Sequence, residues 1–326
     1  MRRSTWRVPL MLVGVCLALM VWALSLGTPP LSISALLHIG PDPVPPLVEK
    51  IVWSWRMPRI VMAAVLGAAL GISGALFQSL LRNPLGSPDV IGFNTGAYTG
   101  VLMAIVLWGQ HPASVTSGAL CGGLLSAVLV YALSWPHDTA HTRRLILMGI
   151  GVRALLIAFN TWLILTASLD TALSAGLWSA GSLNGLTWSK SVPACLVIAV
   201  TCLGVMCLVK ALRLLALGDE LAFALGVHVP LVRAGLMLCG VLLTAAATAV
   251  AGPISFVALV APQLARHAHG SDSPLLSSAG IGACLLLSAD MLAQHAWAPY
   301  QLPVGVVTVS VGGLYLLLML LKTKRL

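Results

Sequence analysis

Residues 58–81 read PRIVMAAVLGAALGISGALFQSLL. After Arg59 no charged residue follows until Arg82, and the run is continuously apolar or small rather than alternating. About 20 such residues are what an α-helix needs to cross a bilayer. Working outward, the same pattern recurs in ten segments: Val8–Leu26, Pro58–Leu81, Val90–Leu107, Ser114–Trp135, Leu145–Ala167, Val192–Val209, Leu231–Ala251, Ile254–Leu264, Leu275–Ala293 and Val304–Leu321. The eighth is short for a crossing.

Composition leads the same way. The chain of 326 residues is 59% hydrophobic and only 8% charged, with a mean hydropathy of +0.98. A soluble domain carries about a quarter charged residues, so the solvent for most of this surface is lipid. In lipid every backbone amide and carbonyl needs an internal partner, which leaves helices or closed barrels. Continuous apolar runs favour helices over the alternating strands of a barrel. The expectation is an all-α, polytopic membrane protein of about ten transmembrane helices, forming a single transmembrane domain over residues 1–326.

The formal net charge of +9 invites a nucleic-acid reading, but its distribution answers it. With the N-terminus in the cytoplasm, one side of the membrane receives Arg2, Arg3, Arg7, Arg82, Arg143, Arg144, Lys210, Arg213, Arg233, Arg266, Lys322, Lys324 and Arg325. The other receives Lys50, Arg56, Arg59 and Lys190, and Arg153 falls inside a span. Basic residues collect on the cytoplasmic side, so both termini are expected there. The first apolar run is longer than the core of a secretory signal and lacks a small-x-small cleavage site, so it reads as a retained first helix. The seven cysteines fall within apolar spans without a C-x-x-C pair and read as small packing residues.

Packing and interruption signals are dense. Gly67 with Gly71, Gly92 with Gly96 and Gly100, and Gly118 with Gly122 stand at the four-residue spacing that lets helix backbones approach closely. Asn83-Pro84-Leu85-Gly86-Ser87-Pro88 stops the second span, and Gly252-Pro253 separates the seventh and eighth with almost no loop. Broken helices at membrane depth survive where protein or a water-filled cavity satisfies the freed groups. The first external connection, Gly27–Trp55, is Pro-rich through Pro41–Pro46 and ends in an amphipathic stretch whose Trp53 and Trp55 suit the membrane interface.

The connection between spans six and seven contains two short apolar helical stretches. Gly218 suits the end of the first, Asp219 the N-cap of the second, and Gly226 its end before Pro230. Such a pair either seats in a groove on a soluble partner or lies on lipid headgroups.

Chemistry of the usual enzymatic kinds is sparse. No lysine follows a glycine, so a G-K-[ST] phosphate loop is impossible. His137 with His141, and His267 with His269, lack acidic or thiol companions at ligand spacing, and no metal site or cofactor is expected. Charge inside the spans is confined mainly to Arg153 and Asp290, fewer buried carboxylates than a proton-coupled carrier usually shows. An ion-coupled secondary transporter of a small anionic solute stays as the rival reading.

Several motifs together resemble one family: the permease subunits of binding-protein-dependent ABC importers for iron–siderophores, haem and cobalamin. They are Arg56-Met57-Pro58-Arg59, Gly67–Gly74, Arg82-Asn83-Pro84-Leu85, Gly252–Pro262 and Leu302–Thr308. Further stretches resemble the enterobactin-type branch: Gly92–Ala97, Gly151–Ala154, Phe159–Trp162, Gly181–Trp188 and Pro299–Pro303. The resemblance implies a bacterial inner-membrane permease for a ferric siderophore, driven by two cytoplasmic ATPase subunits and supplied by a periplasmic siderophore-binding protein. That branch pairs two different permeases, so a heterodimer with a second permease subunit is implied. The resemblance assigns ATPase coupling to the Leu214–Gly226 segment, with Leu214, Leu217, Gly218, Asp219, Glu220, Ala222, Leu225 and Gly226 as its residues. It matches Arg56 and Arg59 to the positions that meet acidic residues of a docked binding protein. One departure is Pro262-Gln263, where the family commonly has Pro-His.

A ferric tris-catecholate is anionic, so neutral polar and basic groups should line its route. Span five offers Arg153, Asn160, Thr161 and Thr166. Arg153 and Asn160 stand two helical turns apart, near one face, where they either line the route or bond between helices.

Overall fold

The computed structural model describes residues 7–27, 46–89, 91–109, 111–134, 141–269, 274–297 and 299–323. Most of the Pro-rich run before Leu47, the terminal basic residues Arg2, Arg3, Lys324 and Arg325, and His137 lie outside them.

The described chain is built of helices in the order α1 (Arg7–Ser25), α2 (Pro46–Ile51), α3 (Met57–Leu80), α4 (Phe93–Trp108), α5 (Pro112–Leu133), α6 (His141–Thr166), α7 (Leu169–Ser179), α8 (Trp188–Leu215), α9 (Asp219–Ala224), α10 (Val229–Ala251), α11 (Val257–His269), α12 (Pro274–His295) and α13 (Val304–Thr323). A π-helical turn, Val52–Arg56, joins α2 to α3. Each of the ten apolar segments coincides with a helix, and among the described residues seven helices are long and apolar enough to cross a membrane. Two departures stand out. α7 carries no sequence signal strong enough to separate it from a loop, although Ser168 caps it by accepting from Thr171 N–H. The first of the two short helices expected before Asp219 does not exist separately: Leu212–Leu215 are the last turn of α8, because nothing breaks that helix between Trp188 and Leu215.

The bundle is inside-out relative to a soluble protein. Leu155, Leu165, Leu177 and Met206 are more than two-thirds exposed, while Ser73, Thr244, Gln78, Gln263 and Asp290 are buried. α3 and α10 form the centre, carrying the buried Met62, Leu66, Leu70, Leu243 and Ala247 against Leu286 of α12 and Ile254. Two of these buried polar groups pair with each other and with the backbone: Ser73 Oγ donates to Gly240 C=O at 2.8 Å and lies 2.8 Å from Thr244 Oγ1. Pairing of this kind is what hydrocarbon demands.

Small residues set the closest contacts. A Cβ added at Gly67 would overlap Gly282 C=O, and one at Gly71 would overlap Ser278 C=O, so α3 and α12 touch backbone to backbone. The two other glycine ladders meet each other: Gly100 sits against Gly118 C=O, and Gly122 against Gly96 C=O, where α4 crosses α5. With no hydrophobic drive between helices in lipid, van der Waals packing at such crossings carries the association.

The two interruptions are satisfied by neighbouring protein. At the α10–α11 break, Ala251 C=O accepts from Ser182 N–H at 2.7 Å, and Gly181 C=O accepts from Gly305 N–H at 3.0 Å. Gly252 there takes φ +72° and Phe256 φ +70°. After α3, Asn83 Oδ1 accepts from Leu85 N–H at 2.9 Å, and Gln263 Nε2 of α11 donates to Pro84 C=O at 2.9 Å. At the position where the family commonly has histidine, this chain therefore uses a buried amide to hold the Asn83–Pro84 turn.

Candidate sites at the two ends and the middle of the bundle

α3 rises about 36 Å over its 24 residues, so Arg59 and Arg82 mark opposite ends of the bundle.

At the Arg59 end, Arg59 bonds Asp290 of α12, with Nε to Oδ2 at 2.9 Å and Nη2 to Oδ1 at 2.8 Å. Its Nη1 donates to Asn184 Oδ1, and Gln294 Nε2 donates to Asp290 Oδ2 at 2.8 Å. Asp290 is 1% exposed and Arg59 14%. Arg59, expected beside Arg56 as a docking cation, thus directs its charge into the chain. Arg56 lies one turn earlier and half-buried, donating to Leu24 C=O at 3.1 Å and packing against Gly27. Trp188 Nε1 donates to Trp53 C=O at 2.7 Å, tying the α2–α3 junction to the start of α8. Trp53 and Trp55 are exposed, as interfacial residues would be.

In the middle, Arg153 stands twelve residues into α6, about 18 Å along it. It is exposed on a helix whose Leu155, Trp162 and Leu165 are exposed as well. The Ile91–Gly92 backbone packs on α6 between Gly149 and Arg153, which sets the Arg153 guanidinium close enough to Asp89 to act on it electrostatically. Asp89 also accepts from Phe256 N–H and from Asn94 Nδ2, and Thr248 Oγ1 donates to Asn94 Oδ1 at 3.0 Å. The left-handed Phe256 therefore serves to aim its amide at a carboxylate. Of the other expected lining residues, Asn160 is buried with Oδ1 unpartnered among the described residues. Thr161 and Thr166 are exposed, and each donates to its own helix, to Ile157 C=O and Trp162 C=O. Arg153 and Asn160 share a face that passes from exposed to buried. Asp89 and Asn94 were not expected. Their signal, polar residues beside a helix-breaking Pro-Gly run, becomes visible only when the loop is folded back into the bundle.

At the Arg82 end, α9 is a short helix between two glycines in the left-handed half of φ space, Gly218 at +125° and Gly226 at +84°. Its end is a Schellman turn: Gly226 N–H bonds Phe223 C=O at 2.9 Å and Val227 N–H bonds Ala222 C=O at 3.0 Å. Ala222 is buried beneath the helix, while Leu217, Leu221, Phe223 and Leu225 are exposed. Leu214 is half-buried and Glu220 exposed. Asp219, expected as an N-cap, makes no cap bond. Its carboxylate instead accepts from Arg82 Nη2 at 2.8 Å and from Arg233 Nη2 at 3.0 Å to both oxygens. Among the described residues no cluster of metal-ligating side chains forms at any of these places.

Comparison with known proteins gives this geometry a family. Residues 15–322 match the FecCD transport family. The chain is 52% identical over 317 residues to the ferric enterobactin transport system permease protein FepG of Escherichia coli (strain K12), covering 97% of this chain and 96% of that one. It is 38% identical over 278 residues to the hemin transport system permease protein HmuU of Yersinia pestis, covering 83% of each. Among solved structures, an inward-facing putative metal-chelate type ABC transporter superposes with a TM-score of 0.83 at 26% identity, covering 97% of this chain and 99% of that one. The fold, the interrupted helices and the exposed short helix after α8 thus find their common explanation: the chain is a multi-pass membrane permease belonging to the FecCD transport family.

Proposed function

We propose that this chain is one permease subunit of an inner-membrane ABC importer that moves a ferric siderophore of the catecholate type, enterobactin or a close relative. The observation carrying this reading is the 52% identity to the enterobactin permease over 97% of the chain. Both termini face the cytoplasm, in keeping with the skew of Lys and Arg. The Arg59 end then faces the periplasm and the Arg82 end the ATPase subunits.

Each end has a task in this reading. α9 and the Leu214–Leu217 turn before it present Leu217, Leu225 and the acidic Glu220 to a groove on an ATPase subunit, with Ala222 packed inward and Gly218 and Gly226 as its bounds. The exposed apolar side chains on so short a helix favour a protein partner. Arg56 meets acidic residues of the periplasmic binding protein, and Arg59 holds the rim on which Arg56 stands. Arg153 lies deep in α6 on an exposed face. A cation at that depth is costly against lipid, which supports a face covered by the second, non-identical permease and lined with water along the substrate route. Asn160, Thr161 and Thr166 continue that route. Nucleotide hydrolysis belongs to the two ATPase subunits, and this chain contributes no catalytic group. Movement of α9 rocks the bundle between outward and inward access.

Uptake of radiolabelled ferric enterobactin by inside-out-free spheroplasts expressing the complete system tests this. Uptake should stop on ATP depletion and survive collapse of the proton gradient. Uptake that follows the ion gradient instead, with no ATPase copurifying, would establish the secondary-carrier reading.

A further inference from the structure

We propose that Arg82 and Arg233 are positioning residues that carry displacement of α9 into the core helices α3 and α10, through their shared hold on Asp219. This rests on the reading of α9 as the ATPase-coupling helix and adds the path by which its motion leaves it.

The covalent connections of α9 are poorly suited to that task. It joins α8 through Gly218 and α10 through Gly226, and a Cβ at either glycine would meet nothing within 4 Å. At the two glycines themselves no side chain stiffens the joint, although Val227 beside Gly226 packs with Ala222 in the core. A push on α9 transmitted by the backbone alone would be absorbed as rotation about them. Asp219, in the first turn of α9, is where side chains supply what the backbone lacks. Arg82 reaches it from the end of α3 at 2.8 Å, and Arg233 reaches it from the second turn of α10 at 3.0 Å.

Both arginines are held for this purpose. Arg82 takes φ +46°, a left-handed conformation that side chains with a Cβ rarely adopt. Such outliers persist where surrounding structure over-determines them and cluster at switch regions. Its guanidinium also donates to Leu215 C=O at 3.3 Å, so one side chain spans the end of α8 and the start of α9. Arg233 is mostly buried, at 17% exposure, which keeps its charge from being screened as an open surface pair would be. An exposed ion pair adds little to stability. The expected consequence of losing Arg82, half exposed in its pair, is therefore in coupling with the fold intact, and at the more buried Arg233 a Gln replacement keeps a hydrogen-bond donor in place.

The test uses the complete importer in proteoliposomes, with its ATPase, second permease and binding protein. Arg82→Gln and Arg233→Gln should each lower siderophore transported per ATP hydrolysed by about fivefold or more, with hydrolysis continuing. Arg82→Lys, which keeps the charge on Asp219, should recover most of the loss. An unchanged transport-to-hydrolysis ratio in both Gln variants overturns the proposal. A photo-crosslinking residue at Leu221 separates the two readings. If it fails to label the ATPase in the otherwise natural chain, the coupling reading itself fails. If it labels there but not in the Gln variants, the arginines serve assembly and the positioning role is wrong. Labelling in every variant together with a reduced ratio supports it.

Discussion

Arg59 of α3 and Asp290 of α12 grip each other through two nearly parallel hydrogen bonds, 2.8 and 2.9 Å long, with the carboxylate almost wholly removed from solvent. Two charges at one end of a lipid-embedded bundle are thereby reduced to one neutral joint. Removing a single partner strands the other charge. Asp290→Ala should destabilise the protein by about 3–5 kcal/mol, whereas replacing both partners with apolar side chains of similar size should cost far less. Thermal unfolding of the detergent-solubilised chain measures both, and equal losses would contradict the account.

Arg56 donates to Leu24 C=O at 3.1 Å and stands at the Arg59 end of the bundle. Arg56→Glu should weaken binding of the periplasmic protein by about tenfold or more at low salt, and the difference from the natural chain should shrink as salt is raised. Binding to the importer in nanodiscs over a salt series reads this. A salt-independent loss would mean a packing defect.

Arg153→Ala should reduce ferric enterobactin uptake by about tenfold, the scale of one lost hydrogen bond to a charged group. It should leave the amount of protein in the membrane near normal, because Arg153 is exposed and Asp89 keeps its bonds to Asn94 and Phe256. Undiminished uptake would remove Arg153 from the route.

Gly67→Val should destabilise the chain by about 1–3 kcal/mol or more, since the new side chain must displace the Gly282 backbone. Gly151→Ala, in a helix with nothing within 4 Å, should be neutral or stabilise by up to about 1 kcal/mol. Parallel melting curves of the two variants make the comparison, and similar shifts would refute the packing argument.

What could be read in the sequence divides along a physical line. The helices that match the ten apolar segments announced themselves by local hydrophobic composition, and the spacing of Gly67 with Gly71 and of Gly96 with Gly100 announced close crossings. α7 was invisible because a short helix between two spans has no length or periodicity to distinguish it from a polar connection. The role of Gly218 and Gly226 as bounds was legible, since the left-handed backbone they supply is a local demand. That Asp219 takes two arginines instead of capping its helix was not, because Arg82 lies 137 positions away in the chain. The same holds for Asp290 and Arg59, 231 positions apart. Asp89 with Asn94 depends on a loop folding back into the bundle, which no periodicity encodes.

The bare contact between α3 and α12 has one more implication. Where carbonyl oxygens lie against α-carbons at Gly67, Gly71 and Gly282, little side-chain volume is left to absorb sliding. The two helices are obliged to travel as a single strut. A nudge delivered to the Arg82 tip would then arrive at the Asp290 tip undiminished, so nucleotide-driven motion on one side of the membrane and release of the delivery protein on the other could be opposite ends of one lever.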